Sequence, residues 1–333
     1  MTEASSGGHD AGMVIETHGL TKTYGEVQAV RSLDLAVARG SIFGFLGPNG
    51  AGKSTTIQML CTLVKPTAGS AFVAGHDVVA DPAAVRSAIG LVFQDPSLDG
   101  ILTARENLDF HGLLYNVPRA VRRSRADEVL EMVDLTDRAS SLVKTFSGGM
   151  KRRLEIARGV YHTPEVLFLD EPTQGLDPQT RAKMWEYITA LPARTGTTVF
   201  MTTHYMDEAE YCDRIAVIDR GSLVTVGTPD ELRAQVGGDV ITIATADDSV
   251  AAGKLRAMGL EPTATRSGLR VETSSAGVLL PRIVSVLGED VRDVNVRRPS
   301  LDDVFIKLTG HEIREEGAEG FMRQAVRVWG GRR

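Results

Sequence analysis

Residues 47–55 read GPNGAGKST and fit the pattern G-x-x-x-x-G-K-[ST]. The chemistry of that pattern is anion holding. Gly47, Gly50 and Gly52 let the backbone curl through Pro48, Asn49 and Ala51 so that amides face a chain of phosphates. Lys53 would neutralise the outer phosphates, and Ser54, followed by Thr55, would offer a hydroxyl to Mg²⁺. Further along, VLFLDEP sets Asp170 and Glu171 at the end of an apolar run. Adjacent carboxylates there are costly unless a metal or a reacting water makes use of them. Asp170 would hold the Mg²⁺ shell, and Glu171 would polarise the water that attacks a γ-phosphate.

Other candidates carry less by themselves. Gln94, in LVFQDP, follows a second strand-type run and could reach the metal or the water from the side; a plain polar loop residue would look the same. His204, in MTTHYMDEAE, could contact the γ-phosphate, although a lone histidine is more often a surface or capping residue. Tyr24, in TKTYGEVQAV, could stack on an adenine ring or simply pack. Asp177, in TQGLDP, sits in a turn after the carboxylates and could line an interface. A second anion site opens TFSGGMKRRLEIARGV, where Ser147, Gly148 and Gly149 begin a basic helix. At helical spacing, Met150, Leu154, Ala157 and Tyr161 should pack inward, leaving Lys151, Arg152 and Arg158 solvated or facing a partner.

The elements that must hold these residues are legible in outline. From Met13 to about Gly75, β-type runs alternate with Gly and Pro, and one helix-type run, KSTTIQMLCTLV, follows GPNGAG. Residues 97–161 turn helical and read as an insertion. EVLFLDEP and TTVFMTT, separated by QTRAKMWEYITAL, imply parallel strands with a crossover helix, and DRIAVIDRGSLVTVG implies a hairpin. After Gly237-Gly238 the order strand, helix, strand, strand, helix, strand suggests a small split-βαβ sandwich, with SLDDVFIKLTG as a last helix. Residues 1–12 read as a flexible leader, and 311–333 as a tail, acidic first and basic later.

Composition narrows the class. Of 333 residues, 42% are hydrophobic and 24% charged, the balance of a globular protein with a sizeable core. A net charge of −6 argues against nucleic acid as the main partner. Cys61 and Cys212 are far apart and suit neither a disulfide framework nor a zinc site. With no apolar run of membrane-spanning length and no signal-type start, the expected location is the cytosol.

The order of GPNGAGKST, Gln94, Ser147-Gly148-Gly149, Asp170-Glu171, GLD and His204 resembles the nucleotide-binding subunits of ABC transporters over about residues 14–236. The resemblance implies a P-loop NTPase ABC cassette: a mixed or parallel sheet core with an antiparallel β subdomain and an α-helical subdomain, spanning 13–236, plus a small α+β C-terminal domain at 237–310. It implies that ATP with Mg²⁺ binds the Walker A loop Gly47–Thr55, with Gln94 in the Q-loop, Asp170 in Walker B, Glu171 catalytic, Asp177 in the D-loop, His204 as switch and Tyr24 in the A-loop. It also implies that Ser147–Gly149 completes the ATP site of a second copy in a head-to-tail dimer, and that a separate transmembrane permease subunit is powered, with this chain peripheral on the cytoplasmic side. Met150 stands where the family most often has Gln, Phe146 replaces Leu, and GLD replaces Ala-Leu-Asp, which suggests a subclass. FSGGMKRRLEIARG with RRPSLDDVFIKLTG is similar to the branch of daunorubicin-type antibiotic exporters. An importer subunit and a soluble, non-transport ABC ATPase are the alternatives; the short C-terminal domain weighs against the first, and a single cassette without heptads against the second.

Overall fold

The computed structural model describes residues 12–94, 97–265 and 268–309. Apart from Gly12, the expectations for the leader and the tail therefore fall outside the described residues. Two compact units divide the chain, one ending at Val226 and the other starting at Gly227.

In the first unit, β1 (Met13–Tyr24), β2 (Val27–Ala38), β3 (Ile42–Leu46), α1 (Lys53–Leu60), β4 (Ala68–Val73) and β5 (His76–Asp77) come first, followed by α2 (Pro82–Ala88) and β6 (Ile89–Val92). The helical segment carries α3 (Ala104–Leu114), α4 (Arg119–Met132) and α5 (Gly148–Val160). Then come β7 (Val166–Asp170), α6 (Pro178–Thr195), β8 (Thr198–Thr203), α7 (Met206–Ala209), β9 (Arg214–Asp219) and β10 (Ser222–Gly227). β2-β1-β4-β5 form an antiparallel sheet. The central sheet runs β10-β9-β3-β8-β7-β6 and is parallel from β9 to β6.

Every residue of β3, β7 and β8 is buried, which explains why these strands read as continuous apolar runs rather than alternating ones. Phe43, Phe45, Phe168 and Phe200 pack their rings together at the centre. Because β3, β8 and β7 are neighbours in parallel, their carboxyl ends lie side by side, with Leu46 opposite Thr203 and Asp170 opposite Thr202. Open α/β sheets bind ligands beyond such ends. α5 presses close against the sheet edge: a Cβ on Gly90 of β6 would stand 2.1 Å from Gly159 O.

The second unit holds α8 (Pro229–Ala234), β11 (Asp239–Thr245), α9 (Asp248–Ala257), β12 (Thr263–Thr265), β13 (Gly268–Thr273), α10 (Ala276–Leu287), β14 (Val291–Arg297) and α11 (Leu301–Thr309). Its sheet order β12-β13-β11-β14 is antiparallel throughout. Ile241, Ile243, Ala251, Leu255, Leu269, Val271 and Ile283 form its core. The unit starts ahead of the Gly237-Gly238 pair because α8 packs on α11, and Lys307 Nζ donates to the carbonyls of Gln235 and Val236 at 3.1 and 2.8 Å.

Candidate active site

The loop after β3 is held from three sides by backbone. Gly47 N donates to Thr203 O at 3.2 Å, Gly221 N donates to Ala51 O at 3.0 Å, and Thr56 N donates to Gly52 O at 2.9 Å. Two glycines are dictated by space. A Cβ at Gly47 would lie 2.3 Å from Ile218 O, and one at Gly52, where φ is +104°, would lie 2.4 Å from Ala29 O. Lys53 opens α1 and is buried; its Nζ donates to Gly47 O at 2.8 Å and Pro48 O at 3.1 Å and lies 3.4 Å from Glu171 Oε1. Burial pulls its pKa down, against the opposing pull of Glu171 and Asp170.

Asp170 ends β7. Its Oδ1 accepts from Thr202 Oγ1 at 2.5 Å and Ser54 Oγ at 3.3 Å. Glu171 follows at φ +46°, a left-handed conformation that costs a non-glycine residue about 1–3 kcal/mol. The backbone around it compensates: Glu171 N donates to Thr202 Oγ1 at 3.1 Å, so one threonine hydroxyl ties both carboxylate residues to β8. His204 Nδ1 stands 3.2 Å from Glu171 Oε1, a close polar contact that falls short of hydrogen-bond alignment and leaves this buried nitrogen without a well-formed partner among the described residues. Burial works to raise the Glu171 pKa, but His204 and Lys53 outweigh it and hold the carboxyl below its ordinary range.

Lys53, Ser54, Asp170, Glu171 and His204 are thus brought into one cluster. The remaining candidates lie elsewhere. Gln94 is exposed and its amide nitrogen donates to Gln174 Oε1, beyond the carboxylates. Asp177 caps α6, accepting from Thr180 N at 3.0 Å and Thr180 Oγ1 at 2.7 Å. Tyr24 is exposed at the end of β1, with Lys22 Nζ 4.9 Å from its ring centre. Ser147 caps α5, its Oγ accepting from Met150 N at 3.2 Å. Both Ser147 and Gly148 are exposed, and a Cβ on Gly148 would meet nothing within 4 Å. The amides of Gly148 and Gly149, in the first turn, have no intrahelical acceptor.

The ABC transporter family matches residues 30–174, and the C-terminal domain of the DrrA1-3-like ATP-binding proteins matches residues 227–309. The chain is 43% identical to the daunorubicin resistance ATP-binding protein DrrA3 of Streptomyces coeruleorubidus, over 92% of this chain and 99% of that protein. It belongs to the ATP-binding proteins of ABC transporters. The linearmycin resistance ATP-binding protein LnrL of Bacillus subtilis is 37% identical, over 91% of this chain and 100% of the relative. Among solved structures, the ATP-binding cassette MJ0796, dimeric and bound to ADP and Pi, superposes with a TM-score of 0.59 at 30% identity, covering 64% of this chain and 98% of that one. This ABC protein is accordingly an ATP-hydrolysing subunit that powers a transporter, and the fold is the cassette with a small α+β domain expected from the sequence.

The donor set of the cassette suits Mg²⁺. Ser54 Oγ and the Asp170 carboxylate are hard oxygens already in contact, and this ion is usually held by one or two carboxylates together with substrate phosphates. Among the described residues, no helix is long and apolar enough to cross a membrane.

Sequence reasoning missed several residues that hold the cluster. Thr202 and Thr203 sit in a wholly buried strand, and Thr203 Oγ1 donates to Glu208 at 2.6 Å, with Thr173 Oγ1 donating to its other oxygen. Burial raises the Glu208 pKa. Consecutive threonines in an otherwise apolar strand were the available signal. Arg152 corrects the expected face of α5: it is buried rather than solvated or facing a partner, because carbonyls of Phe93, just after β6, and of the turn that ends β7 meet its guanidinium. Arg158 likewise turns inward, donating to Ser97 O at 2.8 Å and Ser97 Oγ at 2.5 Å. Leu154, Ala157 and Tyr161 are buried, whereas Met150 is half-buried.

Proposed function

We propose that the cluster hydrolyses Mg²⁺-bound ATP between two copies of this chain, and that the resulting closing and opening drives export of an antibiotic or similar hydrophobic natural product through a separate permease. The observation that carries the reading is Glu171, ionised and in contact with both Lys53 and His204 at the mouth of the Gly47–Thr55 loop. On this reading the loop amides and Lys53 take the phosphates, the ammonium exchanging its contacts with Gly47 O and Pro48 O for phosphate oxygens. Ser54 and Asp170 would hold Mg²⁺, which supplies charge neutralisation on the phosphates when bound. Glu171 orients and polarises the attacking water, and His204 keeps Glu171 in place and has donor capacity toward the γ-phosphate. Gln94, Tyr24 and Asp177 are assigned to the metal or water, the adenine ring and the interface respectively.

The exposed first turn of α5 supports a composite site. Ser147, Gly148 and Gly149 offer amides at the positive end of a helix, suited to the γ-phosphate held by another copy. ATP then joins the two copies, and loss of the γ-phosphate loosens them. For the permease, α3 supplies a surface: Phe110, Leu113 and Leu114 are exposed, as is the neighbouring Ile101. Leu114 also lines a cavity of about 710 Å³, together with Tyr115 and Val121. Exposed apolar side chains grouped on one helix are suited to an interaction site. Docking there would place the chain on the cytoplasmic face of the membrane. The cargo class follows the resistance named for the relatives, to daunorubicin and to linearmycin.

Glu171→Gln tests the engine. ATP binding should persist, turnover should nearly vanish, and size-exclusion with ATP should show a trapped dimer. Co-expressed with its permease, the variant should also fail to protect cells from the exported compound. Wild-type turnover with only monomer in ATP would refute the role given to Glu171.

A further inference from the structure

Arg152, on α5, is a charged residue that the roles above leave unused. Its side chain is only 8% exposed, and every donor direction is filled. Nε donates to Pro172 O at 2.6 Å, and Nη2 to Asp170 O at 3.1 Å and Glu171 O at 3.2 Å. Nη1 donates to Phe93 O and, at 3.1 Å, to Glu155 Oε2. Glu155 is fully buried, and its other oxygen accepts from Ser97 N at 2.8 Å.

Three of these carbonyls belong to consecutive residues of the turn that carries both carboxylates, including Glu171 at φ +46°. The fourth belongs to the residue before Gln94. One planar guanidinium therefore gathers the end of β7 and the end of β6 onto the helix that begins at Ser147.

We propose that Arg152 is a positioning residue for ATP hydrolysis: it fixes the Asp170–Pro172 turn so that Glu171 faces the attacking water, and it ties this turn to the Gln94 strand end and to α5. The inference rests on the reading of Glu171 as the water-polarising carboxylate. Glu155 serves as the counter-charge that allows a guanidinium to be buried there. The fork geometry is specific to Arg; a lysine ammonium has three donors on one point and cannot span the same carbonyls. Movement of the turn then translates into misaligned chemistry. A displacement of about 1 Å costs on the order of a hundredfold in rate.

The test compares Arg152→Lys and the double variant Arg152→Gln/Glu155→Gln in the full-length protein, alongside Glu171→Gln in the same assays. The double variant removes both buried charges together, so that neither is left unpaired, and the amide oxygen introduced at position 155 can still accept from Ser97 N. Steady-state hydrolysis, equilibrium ATP binding and thermal melting are read. The expected result is a kcat reduced on the order of ten- to hundredfold in both Arg152 variants. The KM and Kd for ATP stay as in the wild type, and the double variant, though less stable, still melts cooperatively above the assay temperature. Wild-type kcat in the double variant overturns the proposal, as does a kcat loss matched by equal loss of ATP binding. A Glu171→Gln variant that still turns over fails the carboxylate reading instead. An inactive Glu171→Gln beside fully active Arg152 variants fails the positioning role alone.

Discussion

Lys53 and Glu171 show how much of a residue's chemistry is set by its neighbours: burial pulls the Lys53 pKa down against the opposing pull of Glu171, whereas at Glu171 the contacts with His204 and then Lys53 outweigh burial and hold the carboxyl below its ordinary range. His111 shows the opposite outcome. Its ring packs against Tyr115 at 4.5 Å and lies 5.5 Å from that of His162. Burial first, then the charges of His162 and Arg158, push its pKa from 6.5 down to about 3. The unfolded chain protonates this group near 6.5, so between that pH and about 3 the unfolded state binds more protons. The contribution of His111 is complete above pH 6.5 and declines as the pH falls through that window. Melting temperature should therefore drop from about pH 7 to about pH 5 more steeply in the wild type than in His111→Phe, whose ring keeps the stack without a titrating nitrogen. Parallel slopes in thermal melts would remove His111 from the acid sensitivity. At this scale Gly47–Thr55, Asp170 and Glu171 were readable because their pattern is local, whereas Thr202 was hidden: its hydroxyl matters only once β8 lies beside β7.

Among the elements, β3, β7 and β8 were legible as uninterrupted apolar runs, and their parallel adjacency follows from the helices between them. α5 was legible as a helix, and its inward stripe was largely right, yet periodicity assigned Arg152 and Arg158 to the wrong environment. A helical wheel tells direction; it does not tell that a facing turn presents backbone carbonyls able to satisfy a guanidinium. α3 carries the next prediction. Its outer residues Phe110 and Leu114 are exposed, in contrast to the buried Ala104 and Leu108 on the inner face. Replacing both with Asp should abolish co-purification of an integral membrane partner while leaving ATP hydrolysis by the isolated chain intact. Retention of that partner would move the docking surface elsewhere.

For the molecule as a whole, the first turn of α5 is the feature that calls for a second copy. Ser147→Arg should leave ATP binding to the monomer normal while abolishing ATP-driven dimer formation and hydrolysis, read by equilibrium binding and size-exclusion. Weakened binding in the monomer would instead put Ser147 in its own chain's site. The sequence by itself determined the phosphate loop, the carboxylate pair, the order of strands and helices and the split-βαβ pattern of the second unit, because each is written in contiguous residues or in a regular period. Only the tertiary structure decided that the unit starts at Gly227, that Gln94 meets Gln174, that Glu208 accepts from Thr173 and Thr203, and that Thr202 and Arg152 hold the residues of the carboxylate pair. Those contacts join residues far apart in the chain through backbone carbonyls and hydroxyls, and such acceptors exist everywhere in the sequence until folding selects which of them meet.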